Sequence, residues 1–263
     1  MTGDAAAEPA SDPGLASTGP VGAAGLLGAI YADEDDLTAD LEGFLPPGVR
    51  LLTEHYPVLP PDDEVTWLRR MAAHPGIEAA AERLAERGPG AIVFAVNSFS
   101  VIDGPTGAAA ISGRISSSGG APAVTTSEAM VEAVRALGVR RLAVGVPYGP
   151  PVTEIMTGYF AAYGVEVVKM HGLDLPNANN WEALLLPDDV VVEMAVAADA
   201  PGADAVYLGC TSLRTAHLVT RMEERLGKPV VTANAATIWR GLGLAGYPAR
   251  RAGLGRLFDL AAR

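Results

Sequence analysis

The two halves of the sequence repeat one another, and this repeat constrains the fold more than any other feature. Each match is weak alone, because glycine, valine and proline are common, but four matches in one order are hard to attribute to chance. A duplicated unit of about 115 residues predicts two similar lobes related by a pseudo-two-fold axis. The paired patterns are Gly28 and Tyr31 with Gly145 and Tyr148, Gly48-Val49 and His55 with Gly164-Val165 and His171, Val96-Asn97-Ser98 with Cys210-Thr211-Ser212, and Pro122, Val124 and Thr125 with Pro229, Val231 and Thr232.

Short apolar runs alternate with segments of helical periodicity along most of the chain. The runs at residues 91–96 and 205–208 are continuously apolar, which is typical of strands buried in a parallel sheet. The alternation predicts an α/β fold in which each lobe has a mostly parallel sheet flanked by helices. Strand-end loops of the two lobes should then face one another across a single cleft.

The predicted lobes are discontinuous in sequence. Residues 23–138 and 235–263 form the first lobe, and residues 139–234 form the second. Residues 1–22 are rich in alanine, proline, glycine, serine and threonine without an apolar period, which indicates a disordered tail.

Several local predictions accompany this assignment. Residues 33–45 and 254–262 are predicted to be helices, residues 97–100 a polar turn, and residues 101–120 a loop with a short helix. Ser127 and Asn234 are predicted to cap the helices that follow them. A long polar connection is predicted around residues 177–180.

The composition excludes several classes of protein. With 49% hydrophobic residues the chain can bury a large core, and its net charge of −12, with scattered basic residues, argues against nucleic acid or an anionic membrane as a partner. No signal sequence and no apolar stretch of membrane-spanning length is evident, and a single cysteine excludes an internal disulfide. A cytoplasmic protein is therefore expected, and a homo-oligomer is left open. No clustered metal ligands and no phosphate-binding loop occur, so neither a metal nor an organic cofactor is expected.

The only cysteine, Cys210, directly follows the apolar run at residues 205–208 and Gly209. Thr211 and Ser212 are predicted to cap a helix carrying Leu213, so the thiol would lie beyond a strand's carboxyl end beside helix N–H groups. Such a setting favours a reactive thiol, although a lone cysteine is often only part of the core.

These residues resemble the aspartate/glutamate racemase superfamily, and within it the branch of maleate isomerases and arylmalonate decarboxylases. The resemblance spans about residues 23–245. Racemases and maleate isomerases of this superfamily use a cysteine in each lobe, whereas the first of these positions is Val96 here. The loss of the first thiol resembles the decarboxylase branch, which keeps only the second. The first strand-end loop also departs from the family pattern, because residues 29–32 read Ala-Ile-Tyr-Ala. The segments that carry the resemblance are residues 209–215, 229–239, 94–98, 25–27 and 45–49.

The resemblance implies a cofactor-independent lyase that decarboxylates a malonate-like small carboxylic acid. Cys210 would protonate an enediolate intermediate. Asn97, Ser98, Tyr148 and the backbone at Thr211 would stabilise its oxygens.

The leaving carboxylate would lie against apolar groups, for which Val96 and Phe99 are candidates. Tyr31, the repeat partner of Tyr148, is a weaker candidate for the site. Two alternatives remain open at this stage: a cis–trans isomerase or racemase of a small dicarboxylate or amino acid, and a non-catalytic protein that binds a small acid.

Overall fold

The computed structural model describes residues 25–33, 36–175 and 180–261. The predicted tail at residues 1–22, the start of the first lobe at residue 23, and most of the connection around residues 177–180 lie outside the described residues. The strands are β1 Gly25–Ala32, β2 Val49–Tyr56, β3 Ala91–Phe94, β4 Ala123–Thr125, β5 Arg141–Tyr148, β6 Glu166–Leu175, β7 Ala205–Leu208 and β8 Val230–Thr232. The helices are α1 Thr38–Gly43, α2 Glu64–Ala72, α3 Gly76–Ala85, α4 Asn97–Val101, α5 Gly104–Gly119, α6 Thr126–Ala136, α7 Val152–Ala162, α8 Asn180–Leu184, α9 Asp188–Ala198, α10 Val219–Leu226, α11 Ala233–Leu244 and a final 3-10 helix, Arg256–Asp259.

The strands form two four-stranded parallel sheets of identical topology. The first has the order β2-β1-β3-β4 and the second β6-β5-β7-β8. Strands β3 and β7 lie in the interior of their sheets, and every residue in both is buried. The predicted α/β fold with two related parallel sheets is therefore confirmed.

The strand registers test the sequence repeat position by position. Val93 pairs with Val124 in the first sheet and Tyr207 pairs with Val231 in the second, as the repeat predicts. The match of Tyr31 with Tyr148 is wrong by two residues. The carbonyls of Ile30 in β1 and Gly145 in β5 accept the same backbone hydrogen bond, from the first residue after β3 and after β7 respectively. Ile30 is therefore equivalent to Gly145, and Tyr31 is equivalent to Val146. The short pattern Gly-x-x-Tyr occurs in both strands by coincidence.

Some helix predictions are wrong in extent. Residues 104–119 form one long helix, α5, because Ala108, Ile111 and Ile115 bury a helical face that outweighs the local glycines. Residues 97–100 belong to α4, while α1 is shorter than predicted and residues 256–259 form only a 3-10 turn.

Helix caps also differ from the prediction. Thr125 caps α6 in a capping box with Glu128, in place of Ser127. Thr232 caps α11 in place of Asn234, whose side chain is used elsewhere.

The two sheets contact one another through helices and strand-end loops. Helix α11 follows the last strand of the second sheet and packs on α6 and β3 of the first. Thr126 and Thr237 hydrogen-bond at 2.8 Å between α6 and α11. The lobe boundaries at residues 138 and 234 stay a prediction. No helix in the described part of the chain is long and apolar enough to cross a membrane.

Candidate active site

Cys210 lies two residues beyond β7 and is 3% exposed. Its backbone φ of 107° is in a region that side-chain-bearing residues rarely adopt. Such a conformation costs of order 1–3 kcal/mol and persists only where neighbouring contacts impose it. The contacts around Cys210 therefore define the candidate site.

Asn97 joins the two lobes at this point. Its Oδ1 accepts hydrogen bonds from the backbone N–H of Cys210 at 3.3 Å and from the Tyr207 hydroxyl at 3.2 Å. Its Nδ2 lies 3.7 Å from the sulfur of Met130. Because Asn97 follows β3 and Cys210 follows β7, the strand-end loops of the two sheets face each other, as predicted.

Tyr148, at the end of β5, is buried beside the Cys210 thiol. Burial raises the pKa of its hydroxyl well above the usual value, and the nearby Cys210 and Tyr207 raise it further. The Ser98 hydroxyl is close enough to oppose this effect, yet it is buried without a hydrogen bond of acceptable geometry. Tyr148 therefore remains a neutral O–H donor at physiological pH, and the Ser98 hydroxyl beside it can turn toward a ligand.

The segment after Cys210 is not the predicted helix. Residues 210–218, which we call the Cys210 turn, are irregular, and α10 begins at Val219 with Leu218 as its N-cap. Thr211 and Ser212 thus do not cap a helix, and α10 begins nine residues beyond Cys210. The dipole of α10 is therefore no reason to expect a thiolate at Cys210.

Partners from outside the turn replace the missing helical hydrogen bonds. The carboxylate of Asp40, on α1, accepts hydrogen bonds from the backbone N–H groups of Thr215 and Ala216 at 2.7 and 2.8 Å. The Asn234 Nδ2 donates to the carbonyl of Thr211 at 2.8 Å and more weakly to that of Leu213 at 3.3 Å. These contacts explain why the segment does not continue as a helix.

The other predicted site residues lie in different surroundings. Val96 is buried two residues beyond β3, the position equivalent to Cys210 in the second lobe. Phe99 packs edge-on against Trp67, with ring centroids 5.3 Å apart, and also lines a cavity of about 140 Å³. Tyr31 is hydrogen-bonded to Thr38 at 2.6 Å and contacts the ring of His55 edge-on, and both partners belong to the predicted first lobe.

A cavity of about 420 Å³ opens beside the Cys210 turn. Thr211 and Ser212 form one wall, Leu37 and Asp40 of the first lobe another, and Leu184 contributes a third side. Within residues 25–33, 36–175 and 180–261, no cluster of three or more histidine, cysteine, aspartate or glutamate side chains could hold a metal ion.

Sequence reasoning missed three residues around Cys210 and its turn: Tyr207, Asp40 and Asn234 in its structural role. Tyr207 lies in an apolar strand, where a buried phenol needs a hydrogen-bond partner, and it finds one in Asn97. Burial raises the pKa of the Tyr207 hydroxyl above its usual value. Asp40 lies three residues after the buried Leu37, so helical spacing places it on the side of α1 that faces the protein. This spacing is the feature of the sequence from which a structural role for Asp40 could have been predicted.

Comparison with known proteins identifies the family. The family model described as arylmalonate decarboxylase matches residues 73–258. The arylmalonate decarboxylase of Bordetella bronchiseptica is 33% identical over 183 residues, which cover 68% of this chain and 75% of that protein. The chain belongs to the arylmalonate decarboxylase family.

Two further comparisons extend the likeness. A double mutant of arylmalonate decarboxylase, crystallised in a liganded form, superposes with a TM-score of 0.80 at 26% identity, over 89% of this chain and 99% of that one. A maleate isomerase of Pseudomonas putida is 33% identical over 129 residues, which cover 45% of this chain and 47% of that protein. The relatives are enzymes, and both decarboxylases and isomerases occur among them.

Proposed function

We propose that the protein is a cofactor-independent lyase that decarboxylates a malonate-like small carboxylic acid. The observation that carries this proposal is the asymmetry between two equivalent positions: Cys210 beyond β7 and Val96 beyond β3. A thiol can give a proton to carbon and a valine side chain cannot. The site therefore has one proton donor of this kind, beside Tyr148 and Ser98.

The proposed reaction breaks the bond between the central carbon and one carboxylate. That carboxylate leaves as carbon dioxide, and the bonding electrons pass into the remaining carboxylate to form an enediolate. The Tyr148 and Ser98 hydroxyls and the backbone N–H of Thr211 are the donors proposed for the enediolate oxygens. Cys210 then transfers its thiol proton to the carbon, and solvent returns a proton to the sulfur.

The surrounding residues are assigned supporting roles. Val96 is the proposed apolar group against the leaving carboxylate, where loss of its charge is favoured. Phe99 is given no role, because it packs on Trp67 and lines a separate cavity. The side-chain oxygen of Asn97 accepts hydrogen bonds from the Cys210 N–H and the Tyr207 hydroxyl, so we propose that Asn97 positions the Cys210 backbone. Contact with the substrate is proposed as its second role. The cavity of about 420 Å³ beside Thr211 is proposed to hold the larger substituent of the acid.

The test compares the protein with its Cys210→Ser variant. Disubstituted malonates with one aryl group are supplied, and carbon dioxide release and product chirality are measured. We expect release with the native protein, one enantiomer of the product, and little release with the variant. Unchanged release by Cys210→Ser would contradict the role of the thiol.

A cis–trans isomerase is the second candidate, supported by the likeness to a maleate isomerase. Incubation with maleate and measurement of fumarate separates the two reactions, because isomerisation releases no carbon dioxide. A third outcome is neither product but a rise in melting temperature with small dicarboxylates, since binding alone stabilises a folded protein. That result would favour a non-catalytic small-acid binding protein.

A further inference from the structure

The Cys210 turn is held from both lobes by side chains that the proposed chemistry does not use. Asp40 Oδ1 accepts from the backbone N–H groups of Thr215 and Ala216. Asp40 Oδ2 accepts from Asn234 Nδ2 at 2.7 Å and, more weakly, from the Thr215 hydroxyl at 3.4 Å. All of these are donors to one carboxylate, and hydrogen bonds to a charged group are about twice as strong as neutral ones.

Asn234 connects this carboxylate to the residue that follows Cys210. Its Nδ2 group donates both to Asp40 and to the carbonyl of Thr211. The Thr211 peptide is therefore linked to α1 through only one intervening side chain. Burial raises the pKa of Asp40, and the donors from Ala216, Asn234 and Thr215 oppose that effect by stabilising the carboxylate.

Backbone packing shows independently that α1 and the turn fit together closely. A Cβ at Gly43, the last residue of α1, would lie 2.6 Å from the Cβ of Ala216. Real Cβ atoms do not approach so closely, so any larger residue at position 43 would displace the turn or the helix. The hydrogen bonds of Asp40 therefore join α1 and the Cys210 turn where the two segments are already in close contact.

We propose that Asp40 and Asn234 are positioning residues that hold the Cys210 turn against the first lobe and so fix the reacting thiol and the Thr211 N–H. The φ of Cys210 is 107°, which is a strained backbone conformation that neighbouring contacts must hold in place. Asp40 and Asn234 bond the backbone that directly follows this residue. The proposal rests on the proposed function only in naming Cys210 as the reacting group. The position of the turn itself can be measured without turnover.

The first experiment measures how fast a thiol reagent, N-ethylmaleimide, labels the only cysteine. Cys210 is buried, so its labelling is slow while the turn is closed and becomes faster when the turn opens. We expect Asp40→Ala and Asp40→Asn to be labelled about tenfold faster or more, because the turn loses charge-assisted hydrogen bonds in both. Glu42→Gln is the matched control, since it removes one charge from the same helix at an exposed position, and it should label at the native rate.

Added formate distinguishes loss of the Asp40 carboxylate from general damage to the fold, because formate can replace the carboxylate but cannot repair a misfolded protein. Asp40 lines the cavity of about 420 Å³, through which formate can reach the donors left by Asp40→Ala. Formate should slow the labelling of Asp40→Ala toward the native rate and leave Glu42→Gln unchanged. Asp40→Asn keeps the size of the side chain and carries the test if Asp40→Ala does not fold.

With a substrate that is turned over, kcat of Asp40→Asn should fall about tenfold or more, because the thiol and the Thr211 N–H are then less precisely placed for the transition state. Native labelling rates in both Asp40 variants would overturn the inference, whatever the reaction. If the native protein releases no carbon dioxide but the labelling differences appear, the proposed function fails and the positioning role stands.

Discussion

Cys210 is the residue on which the proposed chemistry depends, and its position relative to Val96 gives the sharpest stereochemical expectation. Cys210→Ser should fold and bind ligand but lose about 10²-fold or more in kcat, because a hydroxyl is a far weaker acid than a thiol. Val96→Cys places a second thiol at the equivalent position of the first lobe with little change in volume.

We expect Val96→Cys to convert a single-enantiomer product into a partly racemic one. Chiral chromatography of the product, after incubation with each variant, is the measurement. A racemic product from the native protein would show instead that another group already protonates the face on the Val96 side.

Tyr148 and Tyr207 are both buried phenols near the thiol, but only Tyr148 is proposed to contact the enediolate. Tyr148→Phe should lower kcat/KM by about 10²-fold or more, the effect of losing one oxyanion donor. Tyr207→Phe removes a hydrogen bond to Asn97 and should instead lower the free energy of unfolding by about 1 kcal/mol, with a smaller kinetic effect. Steady-state kinetics and urea unfolding of the two variants separate these roles, and a larger kinetic loss in Tyr207→Phe would reverse the assignment.

Among the helices, α3 and α5 are joined by an ion pair between Glu78 and Arg114. The guanidinium contacts both carboxylate oxygens, at 2.5 and 2.7 Å, and also donates to the carbonyl of Ala72 at the end of α2. The Arg114 hydrogen bond lowers the pKa of Glu78 from its usual value of 4.5. A lowered folded-state pKa adds stability above pH 4.5, and this contribution is lost as the pH falls through the lower folded value.

Arg114→Met should therefore lower the free energy of unfolding by about 1–2 kcal/mol at neutral pH, and by less in acid. Urea unfolding of native and variant protein across this pH range is the measurement. Arg69→Met, which breaks an exposed pair with Asp103, is the control and should change stability little. A native-to-variant difference that does not shrink in acid would contradict the role of the Glu78 carboxylate.

In the molecule as a whole, α11 returns the chain from the second sheet to the first. A Cβ at Gly241 would lie 2.5 Å from Cγ1 of Val93 in β3, so only glycine allows this approach. Gly241→Ala should cost about 1–3 kcal/mol of unfolding free energy through overpacking. Gly113→Ala, in α5 with open space around the added methyl group, should instead be neutral or stabilise by up to about 1 kcal/mol.

Thermal and urea unfolding of these two variants test whether α11 is packed as tightly as the structure shows. Equal stability of Gly241→Ala and the native protein would mean that the helix can move away from β3. Loss of stability in Gly113→Ala would contradict the open surroundings of α5.

The strands were predictable because burial in a parallel sheet leaves a local trace. β7 was predicted to the residue, and β3 was predicted two residues too long at its end, since each is a short, continuously apolar run. Helix α5 was predicted poorly because its apolar face is narrow and its glycines are frequent, and only packing against α3 and β4 makes the helix stable.

The sequence by itself determined the parallel α/β architecture, the duplication, and the place of Cys210 beyond a buried strand, because all three follow from local apolar patterns and their repetition. Only the tertiary structure decided the register that makes Tyr31 equivalent to Val146, and the shape of the Cys210 turn. The turn is irregular because its backbone groups bond to Asp40 and Asn234. Such long-range hydrogen bonds leave no periodic pattern in the sequence, so the surroundings of the thiol could be known only once the two lobes were brought together.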